Sequence, residues 1–252
     1  MQKTIFDKME CRKCIFFDYK SNQKLSTSIT FPHGKKYELK KSDGTIVQYD
    51  FISDFHEGYA CVELDHKQGF INEQGEEICP IKYDICYMRN PSYTDMPRTM
   101  SYTSFSDGYA RVAIPDSENK FLRFGYINTE GKEVCPFIYS QCDDFHNGKA
   151  IVTRNGKQVV INKKFEEISK EYDRISNFVF GYAKVMTNNL YGFIDENGNE
   201  ICEVKFDLAY NFDKDGFAEA YLRKRKEYLI QLIDKNGKEY YMENGEIYPF
   251  DN

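Results

Sequence analysis

"YGFIDENGNEIC", Tyr191 to Cys202, places two glycines, three carboxylates and a cysteine within twelve residues. Read alone, it offers metal ligands and a calcium-like loop. The chain repeats it, however. Residues Gln68–Cys79 read "QGFINEQGEEIC" and Phe124–Cys135 read "FGYINTEGKEVC". Weaker copies are "VVINKKFEEIS" (Val159–Ser169) and "QLIDKNGKEYY" (Gln231–Tyr241). A stretch that recurs through a chain is structural brickwork before it is chemistry.

A second signature, Phe-x-x-Gly-x-Ala-x-Val, precedes each copy. It reads "FHEGYACV" (Phe55–Val62), "FSDGYARV" (Phe105–Val112), "FHNGKAIV" (Phe145–Val152) and "FVFGYAKV" (Phe178–Val185). A fifth, "FDKDGFAEA" (Phe212–Ala220), carries one extra residue and Ala for Val. A third signature, Tyr or Phe usually followed by Asp, sits six residues before the next leading Phe, as at Tyr49-Asp50, Tyr172-Asp173 and Phe206-Asp207. The leading Phe residues lie 50, 40, 33 and 34 residues apart, so the unit is 33–34 residues with insertions in the first two copies.

Each unit reads as a β-meander. "YARVAI", "FGYIN" and "KEVCPF" are three short strands. The Asn/Asp-x-x-Gly between the second and third is a tight turn: Gly takes positive φ and Asn or Asp bonds its own backbone. Phe165 stands at the glycine position in the third copy, which predicts a longer turn or another type there. Asn155-Gly156 predicts a two-residue hairpin. One meander cannot bury its apolar face alone, but stacked meanders can. The fold expected is all-β: a tandem array of three-stranded β-meander repeats, open and twisted as a β-solenoid, with a closed, propeller-like array as the alternative. Residues 1–36 form an N-terminal segment with a possible capping strand. The array occupies 37–252, with a partial unit at 37–54, repeats starting near 55, 105, 145, 178 and 212, and a capping hairpin at 241–252.

The three signatures together resemble the bacterial WG-repeat family over residues 40–240. The family's Trp-Gly pair is replaced by Gln68-Gly69, Phe124-Gly125, Gln158-Val159, Tyr191-Gly192 and Ile230-Gln231, and the chain has no Trp. The resemblance implies a β-strand repeat array used for binding or scaffolding, with no catalytic residues to carry over.

Composition agrees with a folded chain: 41% hydrophobic, with 20 Phe and 20 Tyr. The net charge of −6 gives no global field for nucleic acid. No window reaches the ~18 apolar residues of a membrane span. The first residues lack the pattern of a signal peptide, so the expectation is a cytoplasmic protein.

Candidate chemistry dissolves into the repeat register. Cys79, Cys135 and Cys202 share one position with Ser169 and Tyr241, and Cys86 and Cys142 share another with Ile175 and Ala209, which is the behaviour of small buried residues. Cys11 and Cys14 lack the second pair a zinc site needs. Asp195-x-Asn197-Gly198 lacks the ligand spacing of a calcium loop. The row Glu77, Glu133, Glu167, Glu200 and Glu239 reads as solvated charges on strand edges. His56 and His146 share a repeat position, and neither they nor His33 and His66 show the spacing of a triad. No catalytic residue, metal site or cofactor is expected. The binding candidates are the aromatic positions Tyr59, Tyr109, Tyr182 and Phe217, and the basic run holding Arg223 and Arg225. The insertions at 87–104 and 115–123 are candidate decorations of a binding face. The function expected is a non-enzymatic module that binds another protein or peptide or acts as a scaffold. The alternative is binding of a carbohydrate or cell-envelope polymer on the aromatic positions.

Overall fold

The computed structural model describes residues 37–40, 45–85, 103–117, 121–224, 227–243 and 246–249. The N-terminal segment 1–36, Arg225 and nearly all of the 87–104 insertion lie outside them. The described residues are all β and contain no helix. The chain divides into two compact units, Met1–Ile138 and Tyr139–Asn252.

In the first unit, β1 (Tyr37–Lys40) and β2 (Ile46–Tyr49) form a hairpin. Repeat one follows as a four-stranded antiparallel sheet of β3 (Phe51–Ile52), β4 (Tyr59–Leu64), β5 (Lys67–Asn72) and β6 (Glu77–Asp84). Repeat two contributes β7 (Tyr109–Pro115) and β8 (Leu122–Asn128). The insertion at 115–123 lengthens this hairpin, and an Arg123–Asp116 ion pair (2.7 Å) ties its stem.

The second unit opens with repeat three: β9 (Gln141–Cys142), β10 (Lys149–Arg154) and β11 (Lys157–Asn162). Repeat four is β12 (Arg174–Ile175), β13 (Tyr182–Thr187), β14 (Leu190–Asp195) and β15 (Glu200–Phe206). Repeat five is β16 (Leu208–Ala209), β17 (Phe217–Lys224), β18 (Glu227–Asp234) and β19 (Glu239–Glu243), extended by β20 (Glu246–Pro249).

The three expected strands are thus joined by a fourth of two residues, which follows the Tyr-Asp signature and pairs with the first long strand. Two residues are too few to show a period, so no pattern announces it. Four strands is also the complement of a propeller blade. None of the described sheets closes on itself. The third strand is full in repeats one and four. In repeat two it shrinks to the bridge Ile127↔Glu133 and in repeat three to the bridges Ile161↔Glu167 and Gln158↔Tyr172, so "KEVCPF" is not a continuous strand.

Both faces of the central hairpins are covered, which is why β4 and β5 read as unbroken buried runs. Ala60, Val62 and Ile71 pack back on Leu39 and Tyr49. Cys61 and Phe70, on the other face, pack forward on Phe105, Ala110, Val112 and Ile127. In the second unit, Ala183, Val185 and Ile194 pack on Ile151, Val160 and Tyr172. Phe193 and Phe206 pack on Phe212, Ala218, Ala220 and Ile233. Alanine recurs because the sheets approach closely.

The Trp-Gly glycine has a steric reason. β5 pairs with β6 through a register shift between Gln68 and Phe70, and the extra chain carries Ile81 over Gly69. A Cβ on Gly69 would lie 2.9 Å from Ile81 Cγ1, and one on Gly192 would lie 2.9 Å from Val204 Cγ2. β18 pairs with β19 without a shift, and there the position is the buried Gln231.

Candidate functional site

The recurring polar residues are consumed by the architecture. In all five copies the Asn or Asp before the turn accepts two backbone N–H bonds through Oδ1. Asn72 takes Gln74 and Glu76, Asn128 takes Glu130 and Lys132, and Asn162 takes Lys164 and Glu166; Asp195 takes Asn197 and Asn199, and Asp234 takes Asn236 and Lys238. Phe165 therefore does not change the turn. It adopts φ 63 and keeps the same N–H to Asn162 O bond, at 2.9 Å. Asn162 and the edge-on contact with Phe145 (centroids 5.8 Å) hold it in a conformation that sterics disfavour.

Glu77, Glu133, Glu167 and Glu200 are exposed, as expected of edge charges, and three of them also bond between repeats. Tyr49 Oη donates to Glu77 (3.2 Å), Tyr83 to Glu133 (3.0 Å) and Tyr172 to Glu200 (2.9 Å). Each is a bond from one repeat's Tyr to the next repeat's Glu. Lys82 and Lys170 add ion pairs to Glu133 and Glu200. Phe206 replaces the Tyr before Glu239, and there Lys205 and Gln231 take over. Lys82 and Tyr83 hold the Glu133 carboxyl below its ordinary range, and Lys170 and Tyr172 do the same for Glu200. Burial, then the carboxylate, pushes the Tyr83 and Tyr172 phenols up. The Asp of Tyr-Asp caps the first hairpin: Asp50 accepts from Asp65 N, Asp173 from Asn188 N and Asp207 from Arg223 N.

The cysteine position is also structural. Cys135 Sγ accepts Tyr126 N–H, and Ser169 Oγ accepts Val160 N–H at the equivalent place. Burial pushes the Cys79, Cys135 and Cys202 thiols up to about 11, out of the nucleophilic range. Among the described residues, no three His, Cys, Asp or Glu side chains are placed to hold a metal ion.

The aromatic candidates are half-buried, and two of them stack repeat on repeat. Tyr59 lies against Phe105 (centroids 4.6 Å) and Tyr182 on Phe212 (4.3 Å). Lys149, the lysine of the series, sits over Phe178. Tyr109 is half-buried. Phe217 touches Tyr240 of its own sheet. Arg223 is exposed near the β17–β18 hairpin.

What sequence reasoning missed is the outer face of the last sheet. Leu208 pairs with Tyr221, and Tyr221 pairs with Ile230, so the three share one face. Leu208 is 41% exposed and Ile230 43%. Tyr210, 54% exposed, meets Tyr221 edge-on. Leu232 and Tyr240 continue this face, and β20 brings Ile247 to it. In repeat four the equivalent residues, Tyr191 and Phe193, are covered by repeat five. The signal was present in the pattern: the fifth copy keeps, at Ile230 and Leu232, the apolar positions that repeat four uses at Tyr191 and Phe193 to meet its neighbour. By strand spacing the sheet spans roughly 24 by 20 Å, or about 480 Å². The apolar residues share this face with Glu219, which pairs with Leu232, and an exposed apolar row of this kind marks an interaction surface.

Among solved structures, KlHsv2 with its loop 6CD replaced by a Gly-Ser linker aligns at TM-score 0.40 and 9% identity, covering 79% of this chain and 71% of its own. Kluyveromyces lactis Hsv2 with the complete loop aligns at 0.34 and 9%, covering 75% and 62%. A eukaryotic initiation factor aligns at 0.32 and 12%, covering 84% and 74%. Likenesses this distant carry no information about function. No curated protein matches the chain. The WG containing repeat matches at residues 47–67, 69–88, 124–157, 160–191 and 191–223, more than half of the chain. Those segments hold four of the five Asn/Asp turns, the three Tyr–Glu bonds and three of the four Ala-x-Val strands described above, and the chain belongs to the WG-containing repeat family.

Proposed function

We propose that this protein is a non-enzymatic interaction module and that its last sheet docks a partner protein. The observation that carries this reading is the exposure of Leu208 and Ile230 on one face of the last sheet, with exposed Tyr210 beside them. The fold itself states the chemistry that fits there. On repeat four, the same face receives Phe212, Ala218, Ala220 and Ile233. The partner is therefore a β-rich surface presenting small side chains and one or two large apolar ones. Two sheet faces of about 480 Å² would bury close to 1,000 Å², the low end for a specific complex. The polymer-binding alternative is not proposed, because the Tyr59 and Tyr182 rings are engaged in stacking one repeat on the next.

The test is affinity capture with the wild-type chain and with Leu208→Asp/Ile230→Asp, both substitutions lying on exposed positions. A partner retained by wild type and lost by the double variant, with unchanged circular dichroism, is the expected result. A partner held equally by both chains refutes docking at this face.

A further inference from the structure

The Phe-x-x-Gly turn is a two-residue reversal in which both central residues have positive φ. In repeat two these are Asp107 (φ 55) and Gly108 (φ 86). Their two N–H groups converge on one carboxylate: Glu57 Oε1 accepts from Asp107 N and Oε2 from Gly108 N, each at 2.8 Å. Successive N–H groups held in such a concave turn make an anion nest. Here one repeat's turn supplies the nest and the preceding repeat's turn supplies the acid.

Repeat four has the same turn. Phe180 has φ 51 and Gly181 φ 88, and Val179 and Tyr182 exchange bonds of 2.8 and 3.1 Å, as Ser106 and Tyr109 do at 2.9 and 3.1 Å. The position that corresponds to Glu57 in the preceding repeat is Asn147, which carries no charge. Among the described residues, none accepts from Phe180 N or Gly181 N. Lys149 stands beside the turn. Its Nζ is 4.0 Å from Glu196 Oε1, and the Glu196 carboxyl carbon is 3.8 Å from where a Gly181 Cβ would be. Glu196 is the internal competitor for this place, half-exposed and only loosely paired. The turn also carries Phe180, 63% exposed, where the other copies carry Glu57, Asp107 and Asn147. An aromatic residue at positive φ with its ring in water is costly on both counts.

We propose that the Phe180–Gly181 turn, with Lys149 at its side, binds an Asp or Glu side chain of the partner protein, and that the Phe180 ring packs on an apolar residue next to that acid. This rests on the interaction-module reading and adds a second, chemically defined contact to it. Two N–H donors and one ammonium around a carboxylate give charge-assisted bonds, so loss of the charge should weaken binding about tenfold.

The test uses the full chain labelled with 15N, titrated with acetyl-Ala-Glu-Leu-Ala-amide, with its Gln counterpart, and with inorganic phosphate. The expected result is a saturable shift of the Phe180 and Gly181 amide signals with the Glu peptide, about tenfold weaker with the Gln peptide or in Lys149→Gln. Gly108 should stay still, because Glu57 fills its nest, and should respond once Glu57→Gln empties it. Equal responses to the Glu and Gln peptides overturn the proposal. So does a response to phosphate that the Glu peptide does not match. A partner captured by wild type and held equally by Lys149→Gln and Phe180→Asn refutes this subsite and leaves the interaction module standing. Absence of any captured partner, with the peptide response present, refutes the module reading alone.

Discussion

Gly198→Ala and Gly216→Ala separate the two things a turn glycine does in this fold. Both glycines have positive φ, 80 and 86. A Cβ at that φ costs about 1 kcal/mol at either position. Their surroundings differ. Nothing lies within 4 Å of a Cβ on Gly216, whereas a Cβ on Gly198 would fall 2.1 Å from Ile168 O and 2.6 Å from Ile168 C. Those atoms are backbone of the preceding repeat and cannot rotate away, so repeats three and four must separate by about an ångström. Overpacking of that kind costs about 1–3 kcal/mol. Gly216→Ala should therefore lose about 1 kcal/mol and Gly198→Ala about 3 kcal/mol. Urea unfolding followed by far-ultraviolet circular dichroism measures both, provided the slope is fitted for each variant, since arrays can lose two-state behaviour. Equal losses would show that turn conformation alone fixes these glycines. The close approach of the repeats would then contribute nothing.

Val152 is fully buried in repeat three, so Val152→Asp should cost more than about 3 kcal/mol and split unfolding into two transitions; a single all-or-none transition contradicts it. A double-mutant cycle of Tyr172→Phe and Glu200→Gln should give a coupling of about 1 kcal/mol, discounted for partial exposure, and no coupling would leave the Tyr–Glu bond without energetic weight. The same pair sets a pH dependence with two limbs. Glu200 titrates below its unfolded value near 4.3, so its contribution is complete above that pH and is lost as pH falls through the folded value. Tyr172 titrates above its unfolded value near 10, so its contribution is complete below that pH and is lost as pH rises through the folded value. Tyr172→Phe should flatten the alkaline limb of a stability-versus-pH curve, and an unchanged limb would assign it to other groups. Cys79, Cys135 and Cys202 should resist iodoacetamide at pH 8 until the chain is unfolded; rapid native-state labelling of all three would contradict their raised thiol values.

The repeat was legible because its strongest marks are local. An Asn that bonds its own turn, a Gly at positive φ and an alternating Ala-x-Val are each written within a few residues. The Tyr172–Glu200 bond was not legible, because it links positions 28 apart in sequence and each half has a local explanation of its own: Tyr as core, Glu as edge charge. The glycine of Trp-Gly was readable as a position kept in three of five copies but not as cause, since the reason is Ile81 or Val204 folded over it by a shift in register. Phe165 shows the opposite failure. Residue preference argued for a different turn, and the hydrogen bonds of Asn162 overrode preference.

These cases point to where function resides in such an array. A residue that recurs is held in place by its neighbours in sequence or in the next repeat, and its exchange loosens the stack. A residue that breaks the recurrence and is partly buried, such as Lys184 with Nζ on Ala209 O and over the Tyr191 ring, adjusts one junction. A residue that breaks the recurrence and is exposed at an energetic cost has no such account within the chain. Phe180 is of this third kind. Asn at 180 would accept the same φ with less strain and no exposed ring, so Phe180→Asn should raise stability by about 1 kcal/mol. A substitution that stabilises the fold while weakening partner binding is the mark of a residue kept for its contact with something else. If Phe180→Asn instead destabilises, the ring is serving the fold, and the same unfolding experiment that ranks the glycines will show it.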